Sequence, residues 1–121
     1  MLKDTFYTIE NILKVELETT YSIRLNADHE IFVGHFPENP ITPGVVQMEI
    51  VKELVGTTLN KILKLDTMSN CKFLAILNPN ENPLLDVSLT ISETEEQKIK
   101  VNAVFKTEKI IFLKMSAVYS K

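Results

Sequence analysis

The sequence predicts an α+β domain, with one antiparallel sheet curled around one long helix. Three observations predict it. Residues from Gly44 to about Leu65 carry apolar side chains at three- and four-residue spacing, the second half of the chain alternates apolar and polar residues, and the alternating runs are joined by short connections. Short connections make successive strands antiparallel neighbours.

Each element follows from its own pattern. Between Ile12 and Leu25 the alternation comes in two pieces: Leu13, Val15 and Leu17 face one way, and after a break Tyr21, Ile23 and Leu25 do the same. Period two marks half-buried strands. Asp28 to Phe32 fits a short helical turn. In the long helix, Val51, Leu54, Val55, Leu59, Ile62 and Leu63 form the apolar stripe. Its first half is apolar all round, with Val45, Val46, Met48, Ile50 and Val51 around only Gln47 and Glu49, so other structure is expected to wrap it. Cys71 to Leu77 reads as a strand ended by the turn formers from Asn78 to Pro83. Three more strands follow, marked by Leu85, Val87, Leu89 and Ile91, by Ile99, Val101, Ala103 and Phe105, and by Ile111, Leu113, Met115, Ala117 and Tyr119. The turns between them lie at Glu93 to Gln97 and Lys106 to Lys109.

Composition narrows the class of function. A chain of 121 residues, 45% apolar and 24% charged, suits a single soluble domain over residues 1–121. No apolar run approaches the roughly 20 residues that span a bilayer, and the first residues lack the apolar core of a secretory signal. A cytoplasmic location away from membranes is the expectation. The single cysteine, Cys71, has no partner for an internal disulfide, which agrees with a reducing compartment. A net charge of −3 gives no general reason to expect nucleic acid as a partner. Residues 98–121 carry six lysines against one acid, Glu108. Solvated lysines on outward strand faces are the favoured reading, over a surface for an acidic partner.

The chemistry concentrates between Gly34 and Glu49. Pro37, Pro40 and Pro43 stiffen a loop that carries His35, and a stiff loop suits a side chain held in one orientation. Pro43-Gly44 precedes the helix, whose first N–H groups have no partner within it. Glycine there lets a ligand approach the backbone, and a carbonyl oxygen bound at those donors would be polarised. Glu49 sits in the first turns among apolar neighbours. Desolvation disfavours its charged form and the helix dipole favours it; a carboxyl group protonated part of the time can give a proton to a leaving hydroxyl. Taken one at a time, His35 could fill a gap, Gly44 could be an ordinary cap, and Glu49 could pair with Lys52.

Together, His35-Phe36-Pro37-x-x-Pro40-x-x-Pro43-Gly44-Val45, with Glu49 fourteen residues after the histidine, closely resembles the active-site signature of the bacterial (3R)-hydroxyacyl-[acyl-carrier-protein] dehydratases. That family has the hot-dog fold, a sheet wrapped around a long central helix. The resemblance implies that His35 is the general base for the α-proton of a 3-hydroxyacyl thioester. It implies that Glu49 helps the 3-hydroxyl depart, and that the Gly44 N–H binds the thioester carbonyl. It further implies an acyl tunnel lined by Phe36, Val45, Val46 and Met48, and a homodimer, or a higher oligomer built from it, in which His35 faces Glu49 of the partner chain. No metal or bound cofactor is implied, because phosphopantetheine arrives with the substrate on acyl carrier protein. The chain departs from the family at Glu38, where glycine is usual, after the acid at Ile50-Val51-Lys52-Glu53, in the turn Asn80 to Pro83, and in a short N-terminal region. These departures leave fatty-acid synthesis and a polyketide or aryl-polyene pathway both open.

Three further residues carry milder readings. His29 is expected at the surface or in a capping role, Cys71 in the core at the start of its strand, and Glu53 solvated or paired with Lys52. Two other functions share the fold. A hot-dog thioesterase would not need a base in the His35 position, and a non-catalytic acyl-binding subunit would need neither side chain.

Overall fold

The computed structural model describes residues 1–34, 40–94 and 96–121. The elements run β1 (Tyr7–Val15), β2 (Glu18–Leu25), a 3-10 turn (Glu30–Gly34), α1 (Gly44–Leu59), β3 (Lys64–Phe73), β4 (Leu84–Glu93), β5 (Ile99–Lys106) and β6 (Ile111–Ser120). The six strands form one sheet in the order β1-β2-β4-β5-β6-β3, every neighbouring pair antiparallel. This is the α+β layout the sequence predicts. Among the described residues no helix is long and apolar enough to cross a membrane.

One face of the sheet and one side of α1 make the core. Ile50, Val51, Leu54 and Val55 of α1 are fully buried with Ile23, Val87, Leu89, Ile99, Val101, Phe105 and Leu113 of the sheet. The alternating sets expected in β4, β5 and β6 face this core except Ile111, which a register shift places opposite Lys106 and which is 40% exposed, while Phe112 is buried. Each such side chain contributes on the order of 1.5–3 kcal/mol by leaving water.

Three elements differ from the sequence reading, each for a local reason. In β1 the register with β2 shifts between Ile9 and Asn11. That bulge inverts the parity of the rest of the strand. Tyr7 and Ile9 face the core, whereas Leu13 lies opposite Thr20 on the outer face and is 60% exposed. Leu17 lies in the turn between β1 and β2, where Glu16 has φ 55°. These residues are not the half-buried set that alternation suggests. The helix stops at Leu59 rather than near Leu65, because Asn60 turns left-handed (φ 55°) and its N–H bonds the Gly56 carbonyl. Lys64–Phe73 is then a strand where the sequence suggested helix followed by a strand from Cys71. Two register shifts, between Leu65 and Thr67 and between Met68 and Asn70, space Leu65, Met68, Cys71 and Phe73 three, three and two residues apart on the α1-facing side. Spacing of three imitates a helix.

Glu53 is neither solvated nor paired with Lys52. It is 7% exposed, and its carboxylate accepts the N–H of Leu2 (2.8 Å), the N–H of Lys3 (3.0 Å) and the hydroxyl of Tyr7 (3.1 Å). The N-terminal residues are thereby pinned along α1. Burial, with the charge of Glu53 next, raises the Tyr7 phenol well above its ordinary range. Replacing Glu53 by alanine leaves three donors without their acceptor. We expect Glu53→Ala to lower stability by about 2 kcal/mol in urea unfolding, with Tyr7→Phe costing less; equal stability of Glu53→Ala and wild type would contradict this role.

Candidate active site

The helix N-terminus is bare in the way the sequence suggests. Pro43 is the N-cap residue, extended at φ −60° and ψ 148°, and offers no side-chain cap. Its carbonyl takes the N–H groups of Val46 (3.1 Å) and Gln47 (3.2 Å). Among the described residues the N–H groups of Gly44 and Val45 have no acceptor. The positive end of the helix dipole adds to those two donors, so the position suits a carbonyl oxygen on which charge develops. The backbone at Gly44 is closely approached: a Cβ there would lie 2.6 Å from Cζ of Phe73, so the half-exposed ring, which rests against the first turn from the end of β3, would have to move aside.

Glu49 is half-buried one turn further along. It lines a cleft of about 160 Å³ with Val45, Met48 and Lys52 of α1, Leu65 and Met68 of β3, and Tyr119 of β6. Among the described residues Glu49 and Lys52 form no ion pair, so the carboxyl group is left to the cleft. Tyr119 is 2% exposed, and its phenol is pushed up to about 12, by burial first and then by the charges of Glu49 and Cys71. Glu49 and Lys52 also line a larger, open cleft of about 500 Å³ that follows α1 to Asn60, with Met1 and Leu63 as walls.

Of the residues singled out in the sequence, Gly44, Val45, Met48 and Glu49 come together around the first two turns of α1. Val46 is half-buried against the core cluster. His35 and Phe36 lie outside the described residues. The expectation that the first half of α1 is wrapped on most sides fails in the single chain, where Val45 is 72% exposed. Gln47 is instead buried, its Nε2 donating to the Thr42 carbonyl (3.2 Å), while among the described residues its Oε1 and the Thr42 hydroxyl find no partner. Sequence reasoning missed Tyr119, Phe73, Leu65 and Met68 as parts of this site. Tyr119 carried no signal beyond membership of an alternating strand, and the other three were hidden by the bulges of β3.

The remaining candidates have structural roles. His29 Nδ1 accepts the Ile31 N–H (3.0 Å), and its ring meets Phe6 edge-on at 5.2 Å. Cys71 lies within β3, half-buried, and burial raises its thiol. In the lysine-rich hairpin, Lys98 bonds Asp66 (2.7 Å) and Lys121 bonds Glu93 (3.1 Å), while Lys100 and Lys114 are exposed. Among the described residues no group of three or more histidine, cysteine or acidic side chains could hold a metal ion.

Residues 12–112 match the family model named ApeI-like and described as ApeI dehydratase. The chain is 26% identical over 113 residues to the 3-hydroxyacyl-[acyl-carrier-protein] dehydratase FabZ of Rickettsia canadensis (strain McKiel), covering 85% of this chain and 78% of that one. It is 29% identical over 86 residues to the FabZ of Rickettsia rickettsii (strain Sheila Smith), covering 63% and 59%. Among solved structures, the dehydratase heterocomplex ApeI:P from Xenorhabdus doucetiae superposes with a TM-score of 0.74 at 18% identity, over 94% of this chain and 97% of that one. The architecture is the hot-dog fold that the motif suggested.

The facing of Glu49 and Tyr119 can be tested by titration. A carboxylate nearby disfavours the phenolate, so removing its charge makes ionisation easier. We expect NMR titration to show Tyr119 ionising near 12 in the wild type and at lower pH in Glu49→Gln. An unchanged midpoint would mean that Glu49 does not act on the phenol.

Proposed function

The chain belongs to the ApeI-like dehydratase family, and on that premise we propose that it dehydrates 3-hydroxyacyl thioesters carried on acyl carrier protein to trans-2-enoyl thioesters. The observation that carries this reading is the pairing of a half-buried acid, Glu49, with two free amides one turn before it at the bare end of α1. His35, nine residues before Gly44 in the sequence, takes the α-proton. The thioester carbonyl rests on the Gly44 N–H, which with the helix dipole stabilises the enolate that forms. Glu49 gives its proton to the 3-hydroxyl as the C3–O bond breaks. A double bond forms between C2 and C3, water leaves, and the proton on His35 returns to the carboxylate through solvent. The carrier arm supplies the thioester, and the chemistry calls for no metal.

We also propose that two copies share each site, His35 of one facing Glu49 of the other. The edge strand β3 supports this. In the single chain, among the described residues, its outer backbone edge pairs with no strand, and Leu65 and Phe73 are nearly half exposed on the side that faces α1, beside the exposed Val45. A twofold pairing of β3 edges would cover both the strand and the apolar patch. Val45, Val46 and Met48, with Phe36, would then wall the space for the acyl chain, and the site would work in the cytoplasm.

Hydrolysis is the competing reaction, and one assay separates the two. With a 3-hydroxyacyl thioester on carrier protein, enoyl product is followed alongside free thiol. We expect enoyl without thiol in the wild type, and a loss of at least a hundredfold in His35→Ala with the fold intact by circular dichroism. Thiol release, or a His35→Ala variant as fast as wild type, would reject the proposal.

A further inference from the structure

The side chain of Tyr119 is 2% exposed, and its hydroxyl, which opens on a cleft and is not shut off from solvent, has no hydrogen-bond partner among the described residues. It sits next to the end of β6, opposite Ile99 of β5 and Leu65 of β3, which turns its side chain toward α1. There it lines the same small cleft as Glu49, yet among the described residues its hydroxyl makes no hydrogen bond. The other two tyrosines are satisfied: Tyr7 donates to Glu53, and Tyr21 bonds the Thr58 hydroxyl at 2.9 Å. The Tyr119 hydroxyl is thus a donor on the wall of the cleft, open to a partner that enters or turns into it. The groups around it are Glu49 and Lys52 from α1 and Cys71 from β3. A tyrosine phenol is protonated at neutral pH, so it is available as a donor throughout turnover.

We propose that Tyr119 is a positioning residue for the acid of the reaction, its O–H donating to the Glu49 carboxyl group when substrate fills the cleft. Before elimination the hydrogen bond aims the carboxyl at the 3-hydroxyl. After Glu49 has given up its proton, the same bond stabilises the carboxylate that remains. Tyr119 forms no covalent bond and transfers no proton. The step it assists is cleavage of the C3–O bond, and removal of the α-proton by His35 proceeds without it.

This inference rests on the proposed roles of His35 and Glu49, and two reactions measured side by side test the two readings separately. The first is dehydration of a 3-hydroxyacyl thioester on carrier protein. The second is exchange of α-deuterium from a saturated acyl thioester on carrier protein, which needs the base and the Gly44 amide but has no hydroxyl to expel. We expect Tyr119→Phe to lower kcat for dehydration roughly tenfold, with KM and the exchange rate unchanged. Glu49→Gln should stop dehydration and spare exchange, and His35→Ala should stop both. Full dehydration by Glu49→Gln would overturn the assignment of the acid itself. If Glu49→Gln is inactive while Tyr119→Phe keeps the wild-type kcat, only the Tyr119 proposal falls. It falls equally if Tyr119→Phe slows exchange as much as dehydration, since that is the mark of a disturbed fold.

Discussion

Ile50, Val51, Leu54 and Val55 point from one side of α1 into the core, and a helix turning about 100° per residue then fixes where its other positions lie. Val45, Met48, Glu49 and Lys52 fall on the opposite side, away from the centre of the sheet. There, among the described residues, they line clefts at the edge of the structure with β3, the end of β6 and the N-terminal residues held by Glu53, Met48 also packing against the core. The acid therefore stands in a shallow, largely apolar cleft, where it is neither lost in the core nor free in water. Its placement follows from the burial of its neighbours. A shift of one residue in the buried stripe would turn Glu49 inward and leave the carboxyl group with no route to a substrate.

The same division explains why the bare helix end matters. Pro43 closes the first turn with its carbonyl and lacks a side-chain acceptor for the next donors, and Gly44 makes room for the Phe73 ring. Two amides are left facing outward, one turn from the acid. In the proposed reading the two donors take the carbonyl of a 3-hydroxyacyl unit and the acid takes its departing oxygen. In the same reading Tyr119, which lines the cleft with Glu49, adds a neutral donor beside the acid. The exposed edge of β3 and the uncovered Val45 belong to the same picture, since they lie on the side a second copy would complete.

Much of this was legible in the sequence, because local rules and global fold agree over most of the chain. Strands β4, β5 and β6 show plain alternation, and the stretch from Pro43 to Glu49 shows cap, glycine and acid in order. Legibility failed wherever strand regularity was broken. The bulge after Ile9 turned Leu13 and Val15 outward, and the two bulges of β3 made a strand look like the end of a helix. Glu53 was misread because its partners, the N–H groups of Leu2 and Lys3 and the hydroxyl of Tyr7, are some fifty residues away in sequence. Tyr119 could be recognised only once the strand order brought β6 beside β3.

Co-expression of His35→Ala and Glu49→Gln chains tests most directly whether the imidazole of one chain works with the carboxyl group of another, because each variant alone is expected to be inactive. Shared sites predict recovery to about a quarter of the wild-type rate, since about half of randomly paired dimers are mixed and each holds one intact site. Activity of the mixture no higher than that of either parent would contradict the account.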